Sequence, residues 1–256
     1  MQMARTTLKF LNALVSLSVI VVIFLLASYS VYALWDNNQV YSAAEDVQAD
    51  MLKLKPTIDP EKNSASFEEL LAINKDVCAW VTLDNTAIDY PVLQGENILS
   101  YINTDVYGNF ALAGSIFLDT SNDKTFHDAY SLIYGHHMAN HKMFGDLDLY
   151  EEEDFFNQNT TGTLILPDRS YKLEIFACLL VKSSEEAIFK PERWLDDIDG
   201  LLTFAGDHAM YLHQETIGLL QSDANPQVLG LSTCSSEFTD ARTVILARMV
   251  QNSPKS

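Results

Sequence analysis

Val228-Leu229-Gly230-Leu231-Ser232-Thr233-Cys234 is a short hydrophobic run that closes on a cysteine. Its apolar residues favour extended backbone, so it predicts a β-strand with Cys234 at the strand end. Arg242 follows in Asp240-Ala241-Arg242-Thr243-Val244-Ile245, where it opens the next apolar run. If that run is the adjacent strand, the loop between the two would bring the thiol of Cys234 close to the guanidinium of Arg242.

His136 is the third residue of this group. It ends the apolar run Ser131-Leu132-Ile133-Tyr134-Gly135-His136, so we also expect it at a strand terminus. A thiol attacks a carbonyl as thiolate, the form that a nearby imidazolium or guanidinium favours. The imidazole can then protonate a departing amine, while Arg242 and the backbone N–H of Ser235 donate hydrogen bonds to the oxyanion. Together these groups are suited to acyl transfer.

The three motifs, in this order, resemble the sortase family. The similarity is closer to class B, because Asp84-Asn85-Thr86-Ala87-Ile88-Asp89-Tyr90-Pro91-Val92-Leu93-Gln94-Gly95 and Gly114-Ser115-Ile116-Phe117-Leu118-Asp119 also look like that class. Tyr134-Gly135-His136-His137-Met138 with Met143-Phe144 adds to the match. The resemblance extends from about residue 66 to residue 250.

The resemblance implies a membrane-anchored cysteine transpeptidase that needs no cofactor and no metal. Cys234 would attack a carbonyl in a sorting motif near the C-terminus of a secreted protein, His136 would protonate the leaving amine, and Arg242 would stabilise the oxyanion. An amine of a cell-wall precursor or of a pilin lysine would then resolve the thioester. In related class B enzymes, residues at the positions flanking the site touch the sorting peptide or support the oxyanion; here they are Tyr134, Ser232 and Ser235.

Other functions are compatible with the same residues. A cysteine peptidase would use water as the acceptor in place of an amine. A membrane-tethered binding module would contain Cys234 as an inert structural thiol. A zinc hydrolase would use His137 and His141, which are four residues apart, although no glutamate lies between them in the zincin arrangement. Anchoring of proteins to peptidoglycan and polymerisation of pilus subunits both remain open for a class B sortase.

The net charge of the chain argues against one class of partner. The 256 residues carry a formal net charge of -19, which argues against nucleic acid as a partner because phosphates would be repelled.

Cys78 and Cys178 lie inside apolar, β-like runs and are expected to be small buried residues, whereas Cys234 is followed by polar residues. An acidic cluster is expected to form an exposed, solvated face near a helix N-terminus, with a cation site as the alternative; it consists of Asp146, Asp148, Glu151, Glu152, Glu153 and Asp154.

The N-terminal region is almost continuously apolar from residue 10 to residue 34. That length suits a membrane-spanning helix, which needs about 20 residues. Arg5 and Lys9 precede the apolar segment and acidic residues follow it, so the positive-inside rule places the N-terminus in the cytoplasm and the large domain outside. A cleaved signal peptide is the alternative.

The expected organisation has five parts: a cytoplasmic N-terminus (1–9), a transmembrane signal anchor (10–35), a helical segment (36–76), a catalytic β-barrel (77–250) and a disordered tail (251–256). Within the helical segment we expect one amphipathic helix over 36–57 and a second over 67–73, capped by Ser66. Short apolar runs separated by turn residues predict a mainly β barrel or sandwich; they are 78–83, 87–93, 114–118, 131–134, 162–166, 171–181, 227–232 and 243–250.

The family resemblance favours a closed eight-stranded sortase-type barrel. Two further segments, 143–157 and 191–220, are helical in character. The second resembles the helical insertion that class B sortases carry before the seventh strand.

Overall fold

A computed structural model describes residues 2–57, 60–234 and 240–252, with side chains for 5–57, 67–233 and 240–252. Contacts divide the chain into a small N-terminal unit, Met1–Ala43, and a larger unit, Ala44–Ser256. The N-terminal unit is a part of helix α1 (Gln2–Leu52), and the side chains of residues 5–39 are exposed. By length and composition this helix is apolar enough to cross a membrane.

Helix α2 (Pro60–Ile73) begins six residues before the predicted cap. The prediction that Ser66 caps this helix is therefore wrong, since Ser66 lies inside it. Proline suits the first helical position, because its fixed φ is already helical and the N–H it lacks would have no partner there. Phe67 and Leu70 of α2 are buried and pack in one cluster with Met51 at the end of α1.

The described residues of the larger unit contain a sheet of ten strands. Their bounds are β1 Val77–Leu83, β2 Asp89–Leu93, β3 Ile116–Leu118, β4 Tyr130–Met138, β5 Lys142–Met143, β6 Thr161–Ile165, β7 Ser170–Lys182, β8 Tyr211–Leu212, β9 Val228–Cys234 and β10 Ala241–Gln251. Eight of them, all but β5 and β8, follow the order β10-β9-β4-β3-β2-β1-β6-β7, and pairing of β7 with β10 closes the barrel. The pairs β2–β3 and β4–β9 are parallel.

The predicted fold class is confirmed, because each of the eight apolar runs overlaps one barrel strand. Two strands, β5 and β8, were not predicted from the sequence. Each has two residues, which is too short to show the alternation of apolar and polar residues that indicates a strand. Strand β4 continues to Met138, so the Tyr-Gly-His motif lies within the strand. Strand β10 continues to Gln251, which pairs with Tyr171.

Alternating residues of the strands face two different cores. Ile133 of β4, Leu231 of β9 and Ile245 of β10 belong to the cluster inside the barrel. Their neighbours Leu132 and Val244 belong to a second cluster on the outer face. Helices between β7 and β9 cover that outer face, as the predicted insertion requires; they are α4 (Glu186–Phe189), a 3-10 turn (Pro191–Arg193), α5 (Asp199–His208) and α6 (Gln214–Ser222).

The other predicted helical segment, 143–157, is divided into two short helices. After β5 it forms a 3-10 helix, Gly145–Glu151, and then α3, Glu153–Gln158. Phe144, Leu147 and Phe156 of this region are buried inside the barrel cluster. The 3-10 helix contacts β4, β9 and β10.

Gly135, in the middle of the Tyr-Gly-His motif, is required by packing. A Cβ atom at this position would lie 2.3 Å from Cδ1 of Ile116 and 2.8 Å from Cγ of Phe144. Both neighbours are buried in the barrel cluster, so neither can move without disturbing it. The absence of a side chain at Gly135 therefore lets the ring of Phe144 pack directly against the backbone of β4 inside the barrel.

We predict that Gly135→Ala destabilises the larger unit by about 1–3 kcal/mol, the usual cost of overpacking a core. Gly206→Ala is the matched control, because Gly206 lies in α5 and nothing is within 4 Å of a Cβ added there. Replacing a helical glycine with alanine stabilises by roughly 0.5–1 kcal/mol. Urea unfolding of both variants measures the difference, and equal stability of the two would contradict this account.

Candidate active site

The parallel ladder between β4 and β9 brings two of the predicted catalytic residues together. His136 pairs with Cys234, and Tyr134 pairs with Ser232. Neighbouring strands lie about 4.8 Å apart, and residues in register point to the same face of a sheet. His136 and Cys234 therefore occupy adjacent positions at the same end of their strands. The structure describes Cys234 by its backbone only.

Arg242 lies at the same level on the next strand. The antiparallel ladder between β9 and β10 pairs Ser232 with Val244. Cys234 follows Ser232 by two residues and Arg242 precedes Val244 by two, so both lie beyond that pair at the same end of their strands. Pairing of Arg242 with Val181 of β7 holds this end of β10 in the sheet. Because side chains two residues apart share a face, Arg242 is on the outer face of the barrel together with Val244.

The ring of His136 is oriented by a backbone carbonyl. Its Nε2 lies 2.7 Å from the carbonyl oxygen of Ile102. A carbonyl can only accept a hydrogen bond, so Nε2 carries a proton and donates it. Nδ1 is then the nitrogen that can exchange a proton with a reacting group, as general acid–base catalysis requires.

Ile102 belongs to the long connection between β2 and β3, and Gly114 fixes its position. Gly114 has φ +59, and a Cβ there would lie 2.3 Å from the oxygen of Ile102. The N–H of Ser115 donates to the carbonyl of Tyr101 at 3.0 Å. The hydroxyl of Tyr101 in turn donates to Asp76 at 2.8 Å. The carbonyl that holds His136 thus depends on a close backbone crossing that only glycine allows.

The predicted substrate-binding residues have different environments. The hydroxyl of Tyr134 donates to Asp119 at 2.9 Å, and its ring stacks on Phe189 of α4. Ser232 is fully buried, and its hydroxyl donates to the carbonyl of Thr233 at 3.1 Å. Ser235 lies outside the described residues. Contact of these three residues with substrate remains a prediction.

Cys78 and Cys178 are buried free cysteines, as expected from their apolar runs. Burial raises the pKa of each thiol to about 12, because the thiolate would lose its hydration. The Cys78 thiol also donates to the carbonyl of Val92 at 3.3 Å. Both cysteines therefore remain protonated at neutral pH and are unsuited to nucleophilic attack.

His137 and His141 contact two different carboxylates. Nε2 of His137 donates to Asp148 at 2.6 Å, and Nδ1 of His141 donates to Asp146 at 2.6 Å. Among the residues with described side chains, no group of three or more His, Cys, Asp or Glu is arranged to hold a metal ion.

The interpretation of the acidic cluster as an exposed face is wrong for Asp146. This side chain is 4% exposed, and it accepts a hydrogen bond from the backbone N–H of Ala87 at 2.7 Å. The carboxylate thereby joins the 3-10 helix to the turn before β2. Glu153 and Asp154 do lie in the first turn of a helix, α3, as predicted.

Comparison with known proteins identifies the family. A crystal structure of a Streptococcus pyogenes class B sortase involved in pilus biogenesis is 37% identical, and the match covers 72% of this chain and 97% of that one, with a TM-score of 0.65. The chain belongs to the class B sortases. A sortase B from Listeria monocytogenes is 28% identical over 240 residues, which cover 92% of this chain and 96% of that protein.

A structure of a mutant form of Clostridium perfringens sortase B gives the same result, with 26% identity, a TM-score of 0.69 and coverage of 79% of this chain and 96% of that one. No protein-family model matches the chain. As a class B sortase the protein is a cysteine transpeptidase with the closed eight-stranded barrel of its relatives.

Two features of this sortase site were missed from sequence. Ile102 acts through its backbone carbonyl, and a carbonyl has no signature in the sequence. Asp148 and Glu151 contact Thr243, the residue after Arg242, across the barrel end. Its position next to Arg242 could have singled out Thr243 in the sequence. Its contacts with Asp148 and Glu151 could not be predicted, because they form only in the folded barrel.

We predict that Gly114→Ala lowers transpeptidase activity by about tenfold or more, because its Cβ would displace the Ile102 carbonyl from His136. Gly108→Ala is the control: Gly108 lies in the same connection with φ +82, and nothing is within 4 Å of its added Cβ. Turnover of a peptide substrate measures the effect after correction for the stability of each variant. Equal losses in the two variants would assign the effect to backbone strain alone.

We also predict that a mild alkylating reagent at neutral pH labels this sortase once per chain, at Cys234. Cys78 and Cys178, with pKa values of about 12, should react only after unfolding. Mass spectrometry of labelled peptides in native buffer and in denaturant distinguishes the three thiols. Labelling of Cys78 or Cys178 in the folded protein ahead of Cys234 would contradict this assignment.

Proposed function

We propose that Cys234, His136 and Arg242 perform the transpeptidation. The observations that support this are the pairing of His136 with Cys234 and the antiparallel pairing of β9 with β10, by which the end of β9 at Cys234 and the start of β10 near Arg242 lie at the same edge of the sheet. Each residue type is suited to its role: the thiolate attacks, the imidazole transfers a proton, and the guanidinium stays charged at any working pH.

The reaction has two halves. The Cys234 thiolate adds to the carbonyl carbon of the scissile peptide bond, and the Arg242 guanidinium donates hydrogen bonds to the oxyanion that forms. The C–N bond breaks as His136 protonates the leaving amine, which leaves a thioester on Cys234. An acceptor amine then adds to the thioester, gives its proton to His136 and releases the thiolate.

The proposed substrate is a secreted protein with a C-terminal sorting signal, and the proposed acceptor is a lysine amine of a pilin subunit. The Streptococcus pyogenes relative supports the choice of acceptor, since it is involved in pilus biogenesis and shares 37% of its residues with this chain. A cell-wall precursor is the other acceptor, and it is an outcome of the test below.

Membrane attachment through α1 fits this function. We propose that residues 10–35 span the membrane, that residues 1–9 are cytoplasmic, and that residues 36–76 lead to a catalytic barrel over residues 77–250 outside the cell. The basic residues Arg5 and Lys9 before the apolar segment support this orientation. Anchoring would hold the enzyme where secreted substrates emerge.

Cys234→Ala should abolish both cleavage of a sorting peptide and the covalent thioester adduct, because no nucleophile remains. A competition assay with the unsubstituted enzyme identifies the acceptor. It supplies a pilin lysine peptide and a cell-wall precursor peptide together, and mass spectrometry of the products shows whether the acyl fragment has been joined to one of these amines or to water. Ligation to the pilin lysine supports the proposal. Ligation only to the precursor would overturn the acceptor, and hydrolysis alone would indicate a peptidase.

Arg242→Lys should lower kcat by about 10²–10³-fold, the cost of losing one oxyanion donor, since an ammonium cannot reproduce the planar guanidinium. Arg248→Lys is the matched control on the same strand, because Arg248 contacts Glu174 and Asp223 away from the site. Full activity of Arg242→Lys would remove Arg242 from the mechanism.

A further inference from the structure

A polar network lies directly behind the proposed catalytic residues. Thr233, Thr243 and His137 each follow or precede one of them by a single residue, on β9, β10 and β4. Because successive residues of a strand face opposite sides, these three belong to the interior face of the barrel. The 3-10 helix Gly145–Glu151 packs against the same three strands and carries Asp148 and Glu151.

Thr243 is the centre of the network. Its hydroxyl lies 2.8 Å from Oε1 of Glu151 and 3.2 Å from Oδ1 of Asp148. The other oxygen of Asp148 accepts a hydrogen bond from Nε2 of His137 at 2.6 Å. A chain of contacts therefore runs from β10 through the 3-10 helix to β4, across the end of the barrel where the proposed site lies.

The network acts where the regular pairing of β10 with β9 stops, although β10 still pairs with β7 there. The last pair of the ladder between β9 and β10 is Ser232 with Val244. At the next residue the backbone N–H of Thr243 donates to the side-chain oxygen of Thr233, at 3.2 Å. On this side, the position of β10 beside Arg242 depends on side-chain hydrogen bonds in place of the regular ladder.

Stability alone does not favour polar groups here. Thr233 and Thr243 are only 3% and 5% exposed. A buried hydroxyl loses hydration that its hydrogen bonds only replace, so an apolar residue of the same shape could close the barrel end at similar stability. The hydroxyl of Thr243 does, however, orient the side chain towards the 3-10 helix, because its single proton can be donated to Glu151, the nearer carboxylate at 2.8 Å, with Asp148 at 3.2 Å as the alternative acceptor.

We propose that Thr243, held by Glu151 and Asp148, is a positioning residue that sets the placement of Arg242 relative to Cys234. This inference rests on the proposed function, in which Arg242 stabilises the oxyanion. Arg242 is joined to Thr243 by one peptide bond, so a displacement of Thr243 moves the guanidinium directly. A misplacement of about 1 Å can cost about 10²-fold in rate.

The test compares Thr243→Val, which removes the hydroxyl and keeps the shape, with Thr243→Ser, which keeps the hydroxyl. Thr82→Val is the control, because the Thr82 hydroxyl on β1 donates to Asp89 at 3.0 Å, and β1 is three strands away from β10 around the barrel. We expect Thr243→Val to lower kcat for peptide cleavage by about tenfold or more with KM unchanged. Thr243→Ser and Thr82→Val should keep the parent kcat.

Two further measurements separate positioning from stability. The urea midpoint should be unchanged in Thr243→Val, because the fold keeps its shape and only the oxyanion donor is displaced. In an Arg242→Lys background, Thr243→Val should cause no additional loss of kcat, since its effect passes through the guanidinium. If Thr243→Val does not fold, the double variant Asp148→Ala, Glu151→Ala removes the acceptors from outside the strand, and the same loss of kcat is expected.

Three results would overturn the inference: an unchanged kcat in Thr243→Val, an equal loss in the Arg242→Lys background, or a loss that accompanies a lower urea midpoint and is shared by Thr82→Val. These results differ from a failure of the proposed function, which would be full activity of Arg242→Lys itself. An impaired Arg242→Lys enzyme with a normal Thr243→Val enzyme rejects only the positioning role.

Discussion

The parallel register between β4 and β9 is the constraint on which the site depends. A shift of one residue in this ladder would turn His136 into the barrel while Cys234 stayed on the outer face. The register is specified by packing, because Ile133 belongs to the interior cluster and its neighbour Leu132 to the cluster beneath the helices, and such a shift of β4 would exchange the two. The apolar core thus determines which polar side chains meet at the strand ends.

Much of this arrangement could be predicted from sequence. The apolar run that ends at Cys234 and the run that begins near Arg242 have the composition of strands, and both are strands in the structure. The pairing of these two strands with each other could also be predicted, because strands that are consecutive along the chain usually lie side by side. The meeting of His136 with Cys234 does not, because about a hundred residues separate them; here the resemblance to sortases supplied what the local pattern could not.

Other features depended on tertiary contacts that have no local signal. The acidic run after Gly145 has the composition of a solvated surface, yet Asp146 is buried because the backbone N–H of Ala87 lies opposite it. The start of α2 at Pro60 was missed because Ser66 and Glu69 match a capping pattern equally well inside a helix. The carbonyl of Ile102 reaches His136 only through the crossing at Gly114.

The closed barrel has a consequence for how sorting peptides can be recognised. Within the part of the chain that the structure describes, each of the eight barrel strands has a partner on both sides. None of these eight described strands therefore offers a peptide a wholly unpaired edge for β-augmentation, the mode that reads a ligand through main-chain hydrogen bonds. Closure of the barrel thus favours selectivity through loops and side chains that project from it, and these can diversify among relatives while the scaffold that aligns the chemistry stays the same.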